Sequence, residues 1–243
     1  MLDFSNSKIL IVGDVMLDKY YFGKVDRISP EAPVPIVNIQ KEESRLGGAS
    51  NVANNIVSLG GHSLLCGVIG HDLFGKEIER ISRHKNIDTF LLKTSSPTIT
   101  KARIIGGKQQ IVRVDYEDKS ELNADNKKLF RDTISRILPE YDILVISDYG
   151  KGLISEDLCR YLIKLAHKYD KKVIIDPKGK NWEKYSGADI VTPNVKELSD
   201  IVGYTVPNTD RAIEKAAREA ITNNHLTALL VTRSDKGMSL IGP

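Results

Sequence analysis

The polar residues that follow five apolar runs of the sequence have the chemistry to bind an oxygen-rich, anionic ligand. They are Asp14, Asp148, Asp176, Thr192-Pro193-Asn194 and Thr232-Arg233, which come directly after KILIVG, DILVIS, KVII, ADIV and ALLV. Ligands of parallel α/β sheets bind beyond the carboxyl ends of the strands. Any single member of this set is typical of an ordinary strand-end turn, because Asp and Asn readily cap and turn the backbone. Five in one chain favour a common binding edge.

Gly47 and Gly48 stand directly before a predicted helix over residues 49–59, where apolar residues recur at helical spacing. The first N–H groups of a helix have no partner within it, so the missing side chains let a polar ligand approach them closely. Asn51, near the helix start, both donates and accepts hydrogen bonds, which suits a ligand rich in hydroxyls. The alternative is that the glycines only turn the chain and that Ser50 or Asn51 caps the helix.

Basic residues are concentrated in a predicted hairpin. The sequences TITKARII and QQIVRVD alternate polar and apolar residues on either side of the turn at 106–108, a pattern typical of two paired strands. Lys101, Arg103 and Arg113 belong to this hairpin. We expect the segments at about 19–40 and 98–115 to form strands outside the main sheet and to act as a lid over a ligand. The alternative is that these cations line a solvated face.

Standard nucleotide motifs do not accompany these basic residues, since the sequence contains neither GxxxxGK[ST] nor a GxGxxG after a strand. Lys151 and Lys178 each follow a strand end and either bind a phosphate or are simply exposed. The five histidines are scattered along the chain, at positions 62, 71, 84, 167 and 225. Their spacing supports no Ser/His/Asp arrangement, so hydrolase chemistry is not favoured.

Alternating strands and helices must position these groups. The predicted elements are KILIVGD, helix 49–59, SLLCGVIG, helix 73–84, DILVISD, helix 156–169, KVIIDP, helix 195–202, helix 211–223 and ALLVT. This alternation predicts an α/β fold in which helices cover a parallel sheet.

Composition excludes several functional classes. A chain of 243 residues with 41% hydrophobic residues can bury a substantial core, and a net charge of +3 predicts neither a nucleic-acid nor a membrane partner. The two cysteines, Cys66 and Cys159, lie in apolar surroundings, which indicates buried free thiols in a reducing compartment and no cysteine metal site. Because the sequence has no signal pattern and no apolar run of membrane-spanning length, we expect a cytoplasmic protein.

Several motifs resemble the ribokinase-type (PfkB) carbohydrate kinases, and the resemblance runs from end to end. It is carried by VGDVMLD at 12–18, GGASNVA at 47–53, TPNVKE at 192–197 and VTRSDKGM at 231–238. Within this family, RISPEAPVPIV at 27–37, TKARIIGGKQQIVRVDYE at 100–117 and SDYGKG at 147–152 resemble the bacterial heptose 7-phosphate kinases. The stretch SPEAPVP is the most specific of these.

The resemblance implies a three-layer α/β/α fold with a mainly parallel sheet and a small β-lid. It also implies ATP-dependent phosphorylation of D-glycero-β-D-manno-heptose 7-phosphate at the anomeric position, which gives the 1,7-bisphosphate on the route to ADP-heptose and the lipopolysaccharide core. One alternative is another sugar kinase of the same fold. Another is a sugar-phosphate-binding module without catalysis.

Residue roles follow from the same resemblance. The sugar would be held by Asp14, Gly47, Gly48 and Asn51, with Lys101 and Arg103 of the lid facing it. The nucleotide would be bordered by Asn194, Val195, Lys196, Glu197, Thr232 and Gly237. Glu197 would also organise Mg²⁺ indirectly, through water.

The family's catalytic base is an aspartate in a Gly-Ala-Gly-Asp loop, which follows two strands that here end at SLIGP. These 243 residues contain no such sequence, so the resemblance implies one kinase domain over residues 1–243 that is incomplete at its C-terminus, with the catalytic aspartate beyond Pro243. We therefore expect these residues to transfer phosphate only at background rate. The resemblance further implies a homodimer that pairs lid strands and a fused or separate adenylyltransferase domain.

Overall fold

A computed structural model describes residues 3–118 and 122–242. The main sheet has eight strands in the order β12-β11-β10-β9-β8-β1-β4-β5. Their bounds are β1 Lys8–Gly13, β4 His62–Gly70, β5 Asp88–Thr94, β8 Ile143–Ser147, β9 Lys172–Asp176, β10 Ile190–Val191, β11 Ala228–Thr232 and β12 Met238–Ile241. Neighbouring strands are parallel throughout except for the antiparallel pair β11 and β12. The predicted parallel sheet is therefore confirmed.

The helices form the two outer layers. They are α1 Ala49–Ser58, α2 Leu73–His84, α3 Ala124–Ile137, α4 Glu156–Lys168, α5 Val195–Val202 and α6 Asp210–Asn224. Successive side chains of β1 alternate between the layers, because side chains of a strand point to opposite faces in turn. Ile9 and Ile11 pack with α1 and α2, whereas Leu10 and Val12 pack with α3 to α6. This arrangement confirms the three-layer α/β/α architecture.

Two elements were absent from the predicted set. Helix α3 is rich in charged residues and buries only Phe130 and Ile134, so its apolar stripe is weak in the sequence. Its start is nevertheless marked by Asn123, whose side chain accepts a hydrogen bond from the N–H of Asn126 at 2.8 Å. Strand β5, DTFLLKT, lies at the edge of the main sheet with no fully buried residue, which makes it hard to distinguish from a loop.

A second sheet of four strands, in the order β3-β2-β6-β7, stands apart from the main one. Its strands are β2 Val15–Ile28, β3 Pro35–Gly48, β6 Thr100–Gly106 and β7 Gln109–Tyr116. The predicted hairpin is confirmed, since β6 and β7 are antiparallel and Gly107, with a φ of +64°, occupies the turn. We call these four strands the lid sheet. Only Asp14 separates β1 of the main sheet from β2 of the lid sheet.

Both cysteine thiols are buried and free, as predicted. Burial disfavours the thiolate, which raises the pKa of Cys159 to about 12 and raises that of Cys66 as well. Neither thiol is therefore poised for nucleophilic chemistry. Within residues 3–118 and 122–242, no helix is both long enough and apolar enough to cross a membrane.

Candidate functional site

A cleft of about 630 Å³ lies between the lid sheet, helix α1 and the end of α2. We call it the first cleft. It is lined by Met16, Asp18, Ser44, Arg45, Leu46, Gly47, Gly48, Asn51, Asn54, Lys85, Lys101, Arg103 and Tyr149. Five residues predicted from the sequence to contact a sugar therefore share one cavity: Gly47, Gly48, Asn51, Lys101 and Arg103. The sixth, Asp14, does not line it.

The glycines at the start of α1 are required by protein groups that approach them closely. A Cβ atom on Gly48, whose φ is +54°, would lie 2.4 Å from the carbonyl oxygen of Asp14, and one on Gly47 would lie 2.4 Å from Oδ2 of Asp18. No side chain caps the helix. The alternative that Ser50 or Asn51 caps it is therefore wrong. The Ser50 hydroxyl instead donates to the carbonyl oxygen of Gly47 at 2.6 Å.

Asp18, which sequence reasoning missed, forms the main ion pair of the first cleft. Its Oδ1 lies 2.6 Å from Nη1 of Arg103, and about a fifth of each side chain is exposed. This hydrogen bond raises the pKa of the Arg103 guanidinium. Arg103 and Arg45 also lie over the ring of Tyr20, at 5.2 and 4.9 Å from its centroid. One sequence signal could have identified Asp18: it is an aspartate of the motif VGDVMLD, on a strand that otherwise begins with apolar residues.

Asp14 anchors the loop that follows β8. It is 2% exposed, and its Oδ2 accepts hydrogen bonds from the backbone N–H groups of Tyr149 at 2.8 Å and Lys151 at 3.1 Å. Burial raises the pKa of this carboxyl, and the two hydrogen bonds only partly oppose that effect. Asp14 lines a neighbouring cavity of about 510 Å³, which Lys151 and His71 also border.

A second cleft, of about 300 Å³, collects the strand-end residues of β8 to β11. It is lined by Asp148, Tyr149, Asp176, Pro177, Lys178, Thr192, Asn194, Glu197 and Thr232. Three of the residues predicted to border a nucleotide are among them: Asn194, Glu197 and Thr232. Val195, Lys196 and Gly237 are not. Tyr149 lines both clefts, so the two cavities meet at this residue.

Asn194 and Glu197 form a reciprocal cap at the start of α5. The Asn194 side chain accepts from the N–H of Glu197 at 2.9 Å, and Oε2 of Glu197 accepts from the N–H of Asn194 at 3.0 Å. The cap occupies Oε2 but leaves Oε1 of Glu197 directed towards Lys178, whose Nζ is 3.7 Å away. The cap thus fixes Glu197 while one of its oxygens remains in the second cleft.

Asp148 and Asp176 differ in their surroundings although both follow buried strands. Asp148 accepts hydrogen bonds from the hydroxyl of Tyr185 at 2.7 Å and from the N–H of Gly150 at 2.7 Å, and it also pairs with Lys184. Burial, with the nearby charge of Glu197, raises the pKa of Asp176 to about 6. Asp148 is therefore held by protein groups, whereas Asp176 retains a destabilised charge that a cation would offset.

Carboxylate oxygens are the donors that Mg²⁺ prefers, so Asp176 and Glu197 fit the ion that the sequence resemblance implies. Among the described residues, no group of three or more His, Cys, Asp or Glu is arranged to hold a metal directly.

The remaining basic candidates have acidic partners. Lys151 pairs with Glu117. Arg113 pairs with Asp115 at 2.8 Å on an exposed strand and does not line the first cleft. Arg233 is 6% exposed and bonds to Asp210 at 2.7 Å and Asn208 at 2.9 Å, so its role is to hold the turn after β11.

The sequence matches the family model described as "pfkB family carbohydrate kinase" over residues 6–242. It is 44% identical over 242 residues to the bifunctional protein HldE of Haemophilus influenzae (strain PittEE), and the matched region covers 99% of this chain and 50% of that relative. It is 43% identical over 237 residues to a D-beta-D-heptose 7-phosphate kinase of Bordetella bronchiseptica, covering 97% of this chain and 74% of that relative. The chain thus spans about half the length of the bifunctional relatives it matches.

Solved structures show the same fold at low sequence identity. Phosphofructokinase-2 from Escherichia coli, in its tetrameric inhibited form, matches with a TM-score of 0.77 and 20% identity over 97% of this chain and 76% of the other. A protein from Staphylococcus aureus described as "a putative phosphofructokinase" matches with a TM-score of 0.75 and 16% identity over 97% of this chain and 74% of the other. These likenesses confirm the ribokinase-like fold.

Proposed function

Because this chain belongs to the pfkB family of carbohydrate kinases, we propose that it binds a phosphorylated heptose in the first cleft and ATP in the second. The two sites would serve transfer of the γ-phosphoryl group to the anomeric hydroxyl of D-glycero-β-D-manno-heptose 7-phosphate, giving the 1,7-bisphosphate. The names of its relatives, HldE and D-beta-D-heptose 7-phosphate kinase, support this substrate.

The observation that carries the proposal is that both clefts share Tyr149. Phosphoryl transfer depends mainly on aligning the acceptor with the donor and on neutralising charge, and little on covalent help from the protein. Two cavities that meet at one residue provide such an alignment. An acceptor hydroxyl on the Tyr149 side of the first cleft would face phosphates in the second.

In the first cleft, Asp18 and Asn51 would hold sugar hydroxyls, and Gly47 and Gly48 would let the sugar lie against the backbone. Lys101 would neutralise charge near the junction, since its Nζ is 5.8 Å from the centroid of the Tyr149 ring. Arg103 supports Asp18 by its short ion pair. Asp14 would contribute indirectly, because it fixes the loop after β8 that carries Tyr149.

In the second cleft, Asn194, Glu197 and Thr232 would border the phosphates, with Val195, Lys196 and Gly237 nearby along the chain. Mg²⁺ would be held by Glu197 through water and by Asp176, and when bound it would neutralise phosphate charge. The resemblance assigns the base to a Gly-Ala-Gly-Asp loop, a sequence these residues do not contain. The proposal for these residues therefore concerns binding and alignment.

The proposal extends to assembly and location. Large apolar side chains exposed on the lid sheet include Val25, Ile28, Ile39, Val112 and Val114, and such a concentration favours a protein interface. We therefore propose a homodimer through the lid sheets, which sedimentation equilibrium would test.

The buried free thiols suit the cytoplasm. An adenylyltransferase domain, fused or separate, would act later on the same route to ADP-heptose.

Isothermal titration calorimetry tests the two binding sites. The protein would be titrated with heptose 7-phosphate, fructose 6-phosphate and ribose, each with and without a non-hydrolysable ATP analogue and Mg²⁺. We expect heptose 7-phosphate to bind at least about tenfold more tightly than the others, and the analogue to bind at the same time. If fructose 6-phosphate bound more tightly than heptose 7-phosphate, it would be the better candidate substrate. If neither sugar phosphate bound, the proposed function would be refuted.

A matched pair of lid variants tests the location of the sugar. Asp18→Asn removes the charge of the cleft ion pair and should weaken heptose 7-phosphate binding by about tenfold or more. Asp115→Asn alters the exposed pair with Arg113 on the same sheet and should leave binding unchanged. If the two substitutions changed the affinity for heptose 7-phosphate equally, the sugar would not bind in the first cleft.

A further inference from the structure

Lys85 follows the end of helix α2 and lines the first cleft, although its sequence position suggested no ligand role. The cleft lining contains four cationic side chains, Arg45, Lys85, Lys101 and Arg103, but only one carboxylate, that of Asp18. Such an excess of positive charge favours an anionic ligand.

The four cations differ in how they are already neutralised. Arg103 is paired with Asp18 at 2.6 Å, and Arg45 with Glu43 at 2.7 Å. Within the described parts of the chain, no ion pair engages Lys85 or Lys101. These two lysines therefore offer positive charge that no carboxylate of the described residues pairs with.

The two lysines that follow strand ends near the other cavities have acidic partners. Lys151 pairs with Glu117, and Lys178 lies 3.7 Å from Glu197. The sequence leaves open whether Lys151 and Lys178 bind a phosphate or are simply exposed. Their acidic partners make both weaker candidates than Lys85, because a bound phosphate would have to displace or tolerate a carboxylate.

Lys85 and Lys101 lie on different walls of the first cleft. Lys101 belongs to the lid sheet and lies beside Tyr149, where the two clefts meet. Lys85 belongs to the helical wall, together with Asn51 and Asn54 of α1. Asn51 and Asn54 are three residues apart and so present their amides on the same side of the helix.

We propose that Lys85 and Asn54 form the subsite for the phosphate monoester that the sugar already carries. The inference rests on the proposed function, which requires the reacting hydroxyl to face Tyr149. A phosphate at the other end of the sugar must then lie away from Tyr149, and the helical wall supplies the ammonium group of Lys85 and the amide donor of Asn54. Lys101 remains beside the reacting end. This subsite would select phosphorylated over unphosphorylated sugars.

The test compares Lys85→Gln with Lys215→Gln, which changes an exposed lysine on α6. Calorimetry would measure the affinity of each variant and of the unmodified protein for heptose 7-phosphate, for unphosphorylated heptose and for ATP. We expect Lys85→Gln to weaken heptose 7-phosphate binding by about 10- to 100-fold. The affinities for unphosphorylated heptose and for ATP should change by less than about twofold, as should all three affinities of Lys215→Gln.

Four results would overturn the assignment. If the unmodified protein binds heptose 7-phosphate and Lys85→Gln binds it equally well, the phosphate lies elsewhere, while the proposed function stands. If Lys85→Gln weakens the binding of heptose 7-phosphate and of unphosphorylated heptose equally, Lys85 does not bind the phosphate. If Lys178→Gln abolishes the preference for the phosphorylated sugar and Lys85→Gln does not, the phosphate faces the second cleft. Failure of the unmodified protein to bind heptose 7-phosphate would refute both the subsite and the proposed function.

Discussion

The carboxylate of Asp14 lies 2.8 Å from the backbone nitrogen of Tyr149, although the two residues are 135 positions apart in the chain. This hydrogen bond joins the single residue between the two sheets to the loop after β8. Since Tyr149 lines both clefts, a buried carboxylate that lines neither of them fixes the residue at which they meet.

Asp14→Ala should therefore affect both clefts and the fold together. The substitution removes the acceptor for two backbone N–H groups, so the free energy of unfolding should fall by about 2–4 kcal/mol. The affinities for heptose 7-phosphate and for ATP should both fall, because the Tyr149 loop loses its anchor. Denaturant titration and calorimetry measure these effects.

Asp18→Ala provides the comparison, since Asp18 lines the first cleft alone. It should weaken sugar-phosphate binding and leave ATP binding unchanged. If Asp14→Ala instead lowered only the sugar affinity, at unchanged stability, Asp14 would contact the sugar directly, as the sequence resemblance implies.

The main sheet could be predicted because its strands are nearly continuous apolar runs. Strands such as β1 and β8 are buried on both faces, which favours such runs, and each is followed by an aspartate that marks the carboxyl edge. The helices α2 and α5 were predicted with the bounds that the structure shows. Their apolar stripes are strong, and each begins at a capping side chain.

The partners of individual side chains could not be predicted. Asp18 meets Arg103 across strands that are 85 residues apart in the chain, and only the parallel register of β2 and β6 brings them together. Lys85 follows a helix whose pattern gives no sign that its end borders a cleft. Asp14 has the residue type of a ligand group, but its burial between two sheets depends on how they join.

Gly48 is a position where both the backbone conformation and the surrounding atoms oppose an added methyl group. Its φ of +54° and ψ of −136° suit glycine almost alone, and a Cβ would lie 2.4 Å from the carbonyl oxygen of Asp14. We expect Gly48→Ala to lower the free energy of unfolding by about 3–5 kcal/mol, from backbone strain and overlap together. Gly60→Ala has a positive φ of +92° but open space around it, so it should lose only about 1–2 kcal/mol. Equal losses in urea denaturation would show that strain alone matters at Gly48.

Tyr185 stabilises the loop beneath the second cleft. The residue is fully buried, and its hydroxyl donates to Asp148 at 2.7 Å and accepts from the N–H of Lys178 at 2.9 Å. Tyr185→Phe removes one hydrogen-bond partner from the Asp148 carboxylate and one from the Lys178 N–H. It should lower the free energy of unfolding by about 1–3 kcal/mol. Tyr204→Phe removes a hydroxyl that bonds to Glu219 on the surface at 3.0 Å, and its effect should stay within about 0.5 kcal/mol. Similar values for the two variants would contradict the buried network.

Asp176 should make the fold less stable as the pH rises from acid to neutral. Its pKa is raised from 3.8 to about 6 in the folded protein, chiefly by burial. Between these values the folded state binds more protons than the unfolded state, so the free energy of unfolding falls as the pH rises through this window. Above a pH of about 6 the full cost is present, because the buried carboxylate is charged.

Asp176→Asn removes the charge but keeps the shape of the side chain. At pH 7.5 the variant should be more stable than the unmodified protein by about 1–2 kcal/mol, a value reduced by the partial exposure of the group. The difference should disappear by about pH 4, where Asp176 is protonated in the folded state. Asp235→Asn, at an exposed position after β11, should track the unmodified protein at both pH values. Denaturant titrations in which Asp176→Asn gave the same advantage at pH 4 and pH 7.5 would show that the stabilisation comes from packing and not from the buried charge.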